Sequence, residues 1–105
     1  MSKKIFRITL FKIASDADIE AVLPKYAALK ETATKDGNQY IIMAKASRTY
    51  NDPRNKGFNF GARTVFASLE DMKYYDETCD AHKEIKATLK GKVEDIMTVY
   101  MDSDA

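Results

Sequence analysis

Four short stretches rich in hydrophobic residues are typical of β-strands, and two of them, residues 5–13 and 58–66, direct alternate side chains to opposite faces with a period of two. They predict strands over residues 5–13, 40–46, 58–66 and 95–101. The first of these stretches carries large apolar side chains at both odd and even positions. Both faces of the sheet that it joins are therefore expected to be covered.

Two longer stretches place hydrophobic residues three or four positions apart, which predicts amphipathic helices over residues 16–33 and 69–89. Ser68 precedes the second helix and, with an aspartate three residues later, resembles a capping box. Pro24 lies inside the first helix and predicts a kink there or an irregular first half. The second helix contains a poorly helical stretch over residues 76–80, which predicts a break into a short and a longer piece.

The order of these elements is β-α-β-β-α-β, the split βαβ pattern of ferredoxin-like folds. The predicted class is α+β, a single domain over residues 1–105 whose four-stranded antiparallel sheet carries both helices on one face. The other face is bare, and a second copy packed sheet to sheet is its simplest cover, so we expect a homodimer that closes a two-chain α+β barrel. The apolar residues assigned to the bare face are Ile5, Phe11, Ile13 and Val65.

Two arginines occupy strand positions that the same alternation assigns to the bare face. Arg7 lies in the first predicted strand and Arg63 in the third, so we expect them to have similar roles. An unpaired buried charge is unfavourable, so we expect each arginine to pair with an acidic group. Binding of an anion is the alternative.

Composition narrows the partners that the chain can have. The 105 residues include 17 basic and 16 acidic side chains in interleaved order, for a net charge of +1, so no nucleic-acid partner is expected. No run approaches the ~20 apolar residues that span a bilayer, so no membrane partner is expected. Cys79 is the only cysteine, which favours a reducing, cytoplasmic location. One histidine and one cysteine give no metal-ligand spacing, so no metal and no cofactor are expected.

Three segments, taken together, resemble a known family. They are FRITLFKI at residues 6–13, KGFNFGARTVFASLEDMKYYDETCDAH at residues 56–82 and VEDIMTVYM at residues 93–101. Their order and spacing are similar to those of the stress-responsive A/B barrel domain (Dabb) family, whose members are dimeric α+β barrels. The resemblance spans nearly the whole chain and implies the same fold and the same pairing.

The family includes stress-induced plant proteins without established chemistry and one well-known enzyme type, olivetolic acid cyclase. The resemblance implies that a cyclase-type member closes a poly-β-ketone chain by aldol condensation, without a cofactor, through a tyrosine and a histidine. The histidine corresponds to His82. The tyrosine corresponds to Tyr75. Tyr74 is the alternative, because this chain has one extra residue between the tyrosine and the histidine. Two further pocket histidines of the cyclase correspond to Phe6 and Phe60, which implies a more apolar pocket.

His82 is the only histidine of the chain, and its ordinary pKa near neutrality suits a general base. Tyr75 can donate a hydrogen bond to a developing enolate, but both residues fit structural packing on an apolar helix stripe equally well. The side chains expected between the helices and the sheet form either a packed core or the wall of an apolar ligand pocket. They are Phe6, Ile8, Leu10, Val22, Leu23, Tyr26, Phe60, Ala62 and Ile96.

Three functions remain open at this point. The first is a homodimeric stress-response protein that binds a small apolar or aromatic molecule without turnover. The second is a cofactor-independent, polyketide cyclase-like enzyme with His82 as its base. The third is a purely structural, stress-associated oligomer with a solid interior. A cavity that touches His82 and a tyrosine hydroxyl would favour the enzyme, whereas a filled core with His82 in solvent would exclude it.

Overall fold

The strands of the protein were located in a computed structural model that describes residues 3–103. They are β1 (Lys4–Ile13), β2 (Thr34–Lys35), β3 (Asn38–Gln39), β4 (Ile41–Arg48), β5 (Phe60–Phe66) and β6 (Val93–Ser103). Four of them form an antiparallel sheet in the order β4-β5-β1-β6, while β2 and β3 pair as a separate short hairpin. This sheet confirms the predicted ferredoxin-like α+β class.

The helices follow the predicted order, with each predicted helix divided in two. They are α1 (Asp16–Ala27), α2 (Leu29–Thr32), α3 (Leu69–Glu77) and α4 (Asp80–Leu89). The predicted break in the second helix is confirmed, and the Ser68 side chain accepts a hydrogen bond from the Asp71 N–H at 3.1 Å, as a capping serine does. No helix within residues 3–103 is long and apolar enough to cross a membrane.

The first half of helix α1 is regular helix, so the alternative of an irregular first half is not met, and the kink predicted at Pro24 stays a prediction. Helix α1 continues through Pro24, and the chain leaves it only at Ala28, whose N–H donates to the Pro24 carbonyl at 3.1 Å. Proline removes one helical hydrogen bond, but Val22 and Tyr26 on either side of it are buried against the sheet. Packing of the apolar face therefore preserves the helix through the missing hydrogen bond.

Burial alternates along β1 and shows which side of the sheet the helices cover. Residues that lie directly opposite each other in antiparallel strands share a face, so the register carries this alternation across the sheet. Thr9, for example, lies opposite Ala62 of β5 and Thr98 of β6. The buried positions of β1 are Ile5, Arg7, Thr9, Phe11 and Ile13.

Our assignment of the two sides of β1 is therefore wrong. Phe6, Ile8 and Leu10 lie on the side without helices, whereas the residues assigned to the bare face, Ile5, Phe11 and Ile13, belong to the core. Both sets are apolar, and a period of two separates them without showing which set the helices cover. Arg7 and Arg63 also lie on opposite faces, since Arg7 is opposite Thr64 and Arg63 is opposite Ile8.

We call the side of the sheet without helices the open face. The assignment of Val65 to this side is correct, and the register adds residues of β4 and β6 to it. Met97 is 45% exposed, Val99 43% and Met101 50%, so large apolar groups face solvent in the single chain. The apolar side chains of the open face are Phe6, Ile8, Leu10, Met43, Val65, Met97, Val99 and Met101.

Candidate functional site

A cavity of about 180 Å³ lies between the helices and the sheet, where α1 and α4 pass over β1 and β6. We call it the helix-sheet cavity. Most of its walls are apolar or aromatic, and a few polar groups converge on it, which is the composition of small-molecule sites. The lining residues are Arg7, Thr9, Phe11, Tyr26, His82, Ile85, Lys86, Leu89, Val93 and Ile96.

A wider groove of about 600 Å³ runs along the outer surface between α1 and α4. Its charged wall residues Lys25 and Glu84 pair with each other across the groove at 2.8 Å. Exposed pairs of this kind are ordinary surface features. The groove lies outside the helices, away from His82, so we place the candidate site in the smaller helix-sheet cavity.

The break between α3 and α4 positions His82. The N–H groups of Thr78 and Cys79 both donate to the Tyr74 carbonyl, which ends α3, and α4 then begins in a new direction. His82 in the first turn of α4 is thereby brought back against Tyr75. The two rings are stacked with centroids 3.8 Å apart and planes 9° apart.

His82 is 5% exposed, and its Nδ1 lies 2.9 Å from the Tyr75 carbonyl oxygen. Because a carbonyl can only accept, Nδ1–H is the donor in this bond and Nε2 is the basic nitrogen of the neutral ring. Burial lowers the pKa of His82 to about 4, with Lys86 and Arg7 acting in the same direction. The ring is therefore neutral at pH 7 and can accept a proton or a hydrogen bond at Nε2.

Arg7 is the buried cation of the site. One terminal nitrogen donates to the Asp76 carboxylate at 2.7 Å and the other to Thr9 Oγ1 at 2.9 Å. Thr9 in turn lies 2.9 Å from Thr98 Oγ1. Asp76 Oδ1 also lies 4.0 Å from His82 Nδ1, which is too far for a hydrogen bond, so the carboxylate pairs with Arg7 and is only a neighbour of the neutral histidine. The network joins β1, β6 and α3 beside the cavity.

Two tyrosines lie near this network, but they differ in what they face. Tyr26 of α1 lines the helix-sheet cavity, and burial raises the pKa of its phenol to about 12, so it remains a neutral donor. Tyr75 is 1% exposed and its hydroxyl has no hydrogen-bond partner among the described residues. Burial raises the pKa of Tyr75 as well. The tyrosine that lines the cavity with His82 is therefore Tyr26.

Tyr74 and Tyr75 differ in their ring contacts. Tyr75 stacks on His82, whereas Tyr74 makes an edge contact with Tyr40 and lies under the ammonium of Lys35. The catalytic roles predicted for His82 and Tyr75 stay predictions. The structure brings the two residues together and places His82, without Tyr75, on the wall of the cavity.

The predicted pocket residues fall into three groups. Tyr26 and Ile96 line the cavity. Val22, Phe60 and Ala62 are packed in the core, with Leu23 partly buried at its edge. Phe6, Ile8 and Leu10 lie on the open face, so their prediction as pocket residues is wrong, and Phe6 cannot replace a pocket histidine.

Sequence reasoning missed most of the polar wall. Arg7 was assigned to the wrong side of β1, and Thr9 and Lys86 were not singled out as site residues. A signal was available: Lys86 follows His82 by four residues and so lies on the same side of α4. The neighbouring Ile85 and Leu89 belong to the predicted apolar stripe that faces the sheet.

The fold and the cavity together define a ferredoxin-like α+β protein with a small, mostly apolar site between its helices and its sheet. Residues 5–103 match the stress responsive A/B barrel domain (Dabb) family, and the chain belongs to that family. This confirms the resemblance seen in the sequence.

The chain is also similar to a curated sequence relative and, in its fold, to solved structures. The chain is 32% identical over 106 positions to a fusaristatin A biosynthesis cluster protein of Gibberella zeae, an alignment that covers 100% of this chain and 77% of that protein. The hydroxynitrile lyase of Passiflora edulis has the same fold, with a TM-score of 0.79 at 14% identity, over 99% of this chain and 96% of the lyase. A dimeric ferredoxin-like protein of unknown function from Thermobifida fusca gives 0.79 at 12% identity, over 98% and 93%.

Proposed function

We propose that the protein is a homodimer that binds a small apolar or aromatic molecule in the helix-sheet cavity of each protomer. One observation carries this proposal: an apolar cavity of about 180 Å³ into which a neutral histidine, a tyrosine and an arginine converge. A solid structural core is usually apolar, since burying a polar side chain costs free energy that a hydrogen bond must offset. The purely structural alternative is correspondingly weaker.

The pairing of two copies is supported by the open face. Its eight apolar side chains are distributed over all four strands, and all of them except the buried Val65 are partly or largely exposed in a single chain. The Thermobifida fusca neighbour is described as dimeric. A second copy packed on the open face would bury these side chains and leave the helix-sheet cavity, on the other side of the sheet, free for a ligand.

A second candidate function, proton transfer in a cyclase-like reaction, is favoured by the orientation of His82. With Nδ1–H held by the Tyr75 carbonyl, Nε2 can take a proton from a carbon that lies between two carbonyl groups. The electron pair of that C–H bond moves onto a carbonyl oxygen, which becomes an enolate. Tyr26 is the cavity residue able to donate a hydrogen bond to such an oxygen.

Binding is tested by filling the cavity mouth. Ile96 lines the cavity and is 55% exposed, so Ile96→Trp adds volume at the mouth with little disturbance of the core. Ligand-observed NMR with 4-methylacetophenone is expected to show binding to the wild type and none to Ile96→Trp. Leu69→Trp, on the exposed surface of α3, is the matched control and should bind as the wild type does. Equal binding to all three proteins would contradict the proposed site.

Catalysis is tested separately from binding. The rate of α-deuterium exchange into 1-phenyl-1,3-butanedione is expected to rise with wild-type protein and to return to the buffer rate with His82→Gln. General acid-base catalysis by one side chain is worth about a hundredfold or more in rate. Equal rates for the two proteins would reject the catalytic role of His82 and leave the binding function standing.

A further inference from the structure

We propose that the helix-sheet cavity selects aromatic monocarboxylates, with Arg7 and Lys86 holding the carboxylate while the apolar wall holds the ring. This inference rests on the binding function proposed above and names the chemical class of the ligand. It follows from the charges on the cavity wall and from the unused hydrogen-bond donors of Arg7.

The cavity wall carries two cations and no carboxylate. Arg7 and Lys86 both line it, whereas Asp76, the carboxylate that pairs with Arg7, lies outside it with its side chain 35% exposed. The Lys86 ammonium is held nearby by the backbone carbonyl of Asp76 at 2.9 Å. A ligand in the cavity therefore meets an excess of positive charge in a region that is largely screened from water.

Arg7 has N–H groups that donate to no acceptor among the described residues. A guanidinium offers five N–H groups, and the described residues give acceptors to two of them, on Thr9 and Asp76. The buried Nε of Arg7 has no partner at all among these residues. The arginine is 8% exposed, so water does not readily supply the missing acceptors. A carboxylate has two oxygens in the plane that a guanidinium fork recognises.

The effect of the two cations extends to the neighbouring ionisable groups. Both Arg7 and Lys86 act to lower the pKa of His82, and Arg7 acts to lower the pKa of Tyr26. His82 and Tyr26 are both wall residues, so the positive charge is felt inside the cavity and is not confined to its rim. A neutral His82 also adds no third positive charge.

The rest of the wall fits an aromatic ring. Phe11 lies on the sheet side and packs against Phe60 with the ring planes tilted by 51°, and Phe60 itself contacts Tyr26. Ile85 and Leu89 close the helix side. A cavity of about 180 Å³ accommodates a single substituted ring rather than a long chain, so the ligand has one acidic group and one compact apolar body.

The test compares benzoate with benzamide, which has the same shape without the charge. Isothermal titration calorimetry at pH 7 is expected to show benzoate binding to wild type about tenfold more tightly than benzamide, the ratio expected when a charged hydrogen bond is retained in one ligand only. The double variant Arg7→Met/Asp76→Asn removes both members of the ion pair, so no buried charge is left unpaired. It should retain only the part of the benzoate preference that Lys86 supplies.

Two further variants keep the test decisive if the double variant does not fold. Lys86→Gln changes an exposed side chain and should reduce the benzoate preference severalfold without loss of structure. Arg54→Gln removes an exposed arginine that pairs with Asp52 and does not line the cavity. It should leave the preference unchanged. Equal affinity of wild type for both probes, or an unchanged preference in Lys86→Gln, would overturn the carboxylate assignment while the binding function stands. Binding of neither probe would contradict both.

Discussion

Each face of the sheet departs in a different way from the distribution of polar and apolar residues that is usual in an isolated domain. The face beneath the helices carries Arg7, Thr9 and Thr64, all less than 9% exposed. The open face, which has no cover in a single chain, carries mostly methionine, valine, leucine, isoleucine and phenylalanine. A monomer would be expected to place its polar side chains in water and its apolar ones in the core.

The difference is explained if the two faces have separate functions. In our proposal, the covered face combines a packed core with a polar site whose groups serve a ligand. The open face would then be an interface, whose apolar surface is stable once a second copy covers it. The two arginines show the contrast in single residues, since Arg7 reaches the cavity while Arg63 lies among the apolar residues of the open face.

The largest effect is expected from a charge on the open face. Ile8→Glu places a carboxylate in the middle of the proposed interface, and desolvating an unpaired charge costs several kcal/mol, so dimer affinity should fall by about three orders of magnitude. Size-exclusion chromatography with light scattering at micromolar concentration should show a dimer for wild type and a monomer for the variant. Leu69→Glu, an equal change on the exposed surface of α3, should remain dimeric. A dimeric Ile8→Glu would show that this face is not the interface.

On the covered face, removal of Arg7 and removal of Asp76 should lower the free energy of unfolding by different amounts. Asp76→Ala leaves a guanidinium unpaired with its side chain only 10% exposed, and the free energy of unfolding should fall by about 3 kcal/mol. Arg7→Met leaves a carboxylate that is partly solvated, so its loss should be about half as large. Urea titrations at pH 7 measure both values. A larger loss for Arg7→Met would contradict the placement of the buried charge.

His82 should make stability depend on pH. Its pKa is about 4 in the folded protein and about 6.5 in the unfolded chain, so the unfolded chain binds more protons between these values. The contribution is complete above pH 6.5 and is lost as pH falls toward 4, about 2 kcal/mol of it between pH 7 and pH 5. Urea titrations of wild type and His82→Gln over this range isolate the effect from the carboxylates. Parallel pH profiles for the two proteins would contradict the desolvated histidine.

The smallest effect is expected from Tyr75. Because its buried hydroxyl has no partner among the described residues, Tyr75→Phe should change the free energy of unfolding by no more than about 1 kcal/mol, in the stabilising direction. It should also leave binding to the helix-sheet cavity unchanged, whereas Tyr26→Phe should weaken it. Thermal melts and the acetophenone titration measure the two properties. Loss of binding in Tyr75→Phe alone would restore Tyr75 as the functional tyrosine.

The sequence predicted the order of the main strands and helices well. The period of two along β1 and β5, and the weak helical stretch before Asp80, were sufficient for the fold class and for the break that orients His82. The sequence did not show which residues of β1 face the helices. Phe6, Ile8 and Leu10 are as apolar as the residues that alternate with them, and only the register with β5 shows that they face away from the helices.

The site was predicted less completely than the fold. His82 was identified as the one residue with suitable acid-base chemistry, and Tyr26 and Ile96 were expected in the pocket that they line. Arg7 was treated as the counterpart of Arg63 because each occupies a strand position next to hydrophobic residues. Its partner Asp76 lies 69 residues further along the chain, and no local pattern indicates a contact of that sequence separation.

Native mass spectrometry of the wild-type protein with benzoate tests most directly whether ligand binding and dimer formation use opposite faces of the sheet. With one cavity per protomer and the interface on the other side of the sheet, the spectrum should show a dimer that carries zero, one and two ligands as benzoate is increased. Ile8→Glu should appear as a monomer that still carries one. A dimer that saturates at a single ligand would place the binding site between the two copies and would contradict the account.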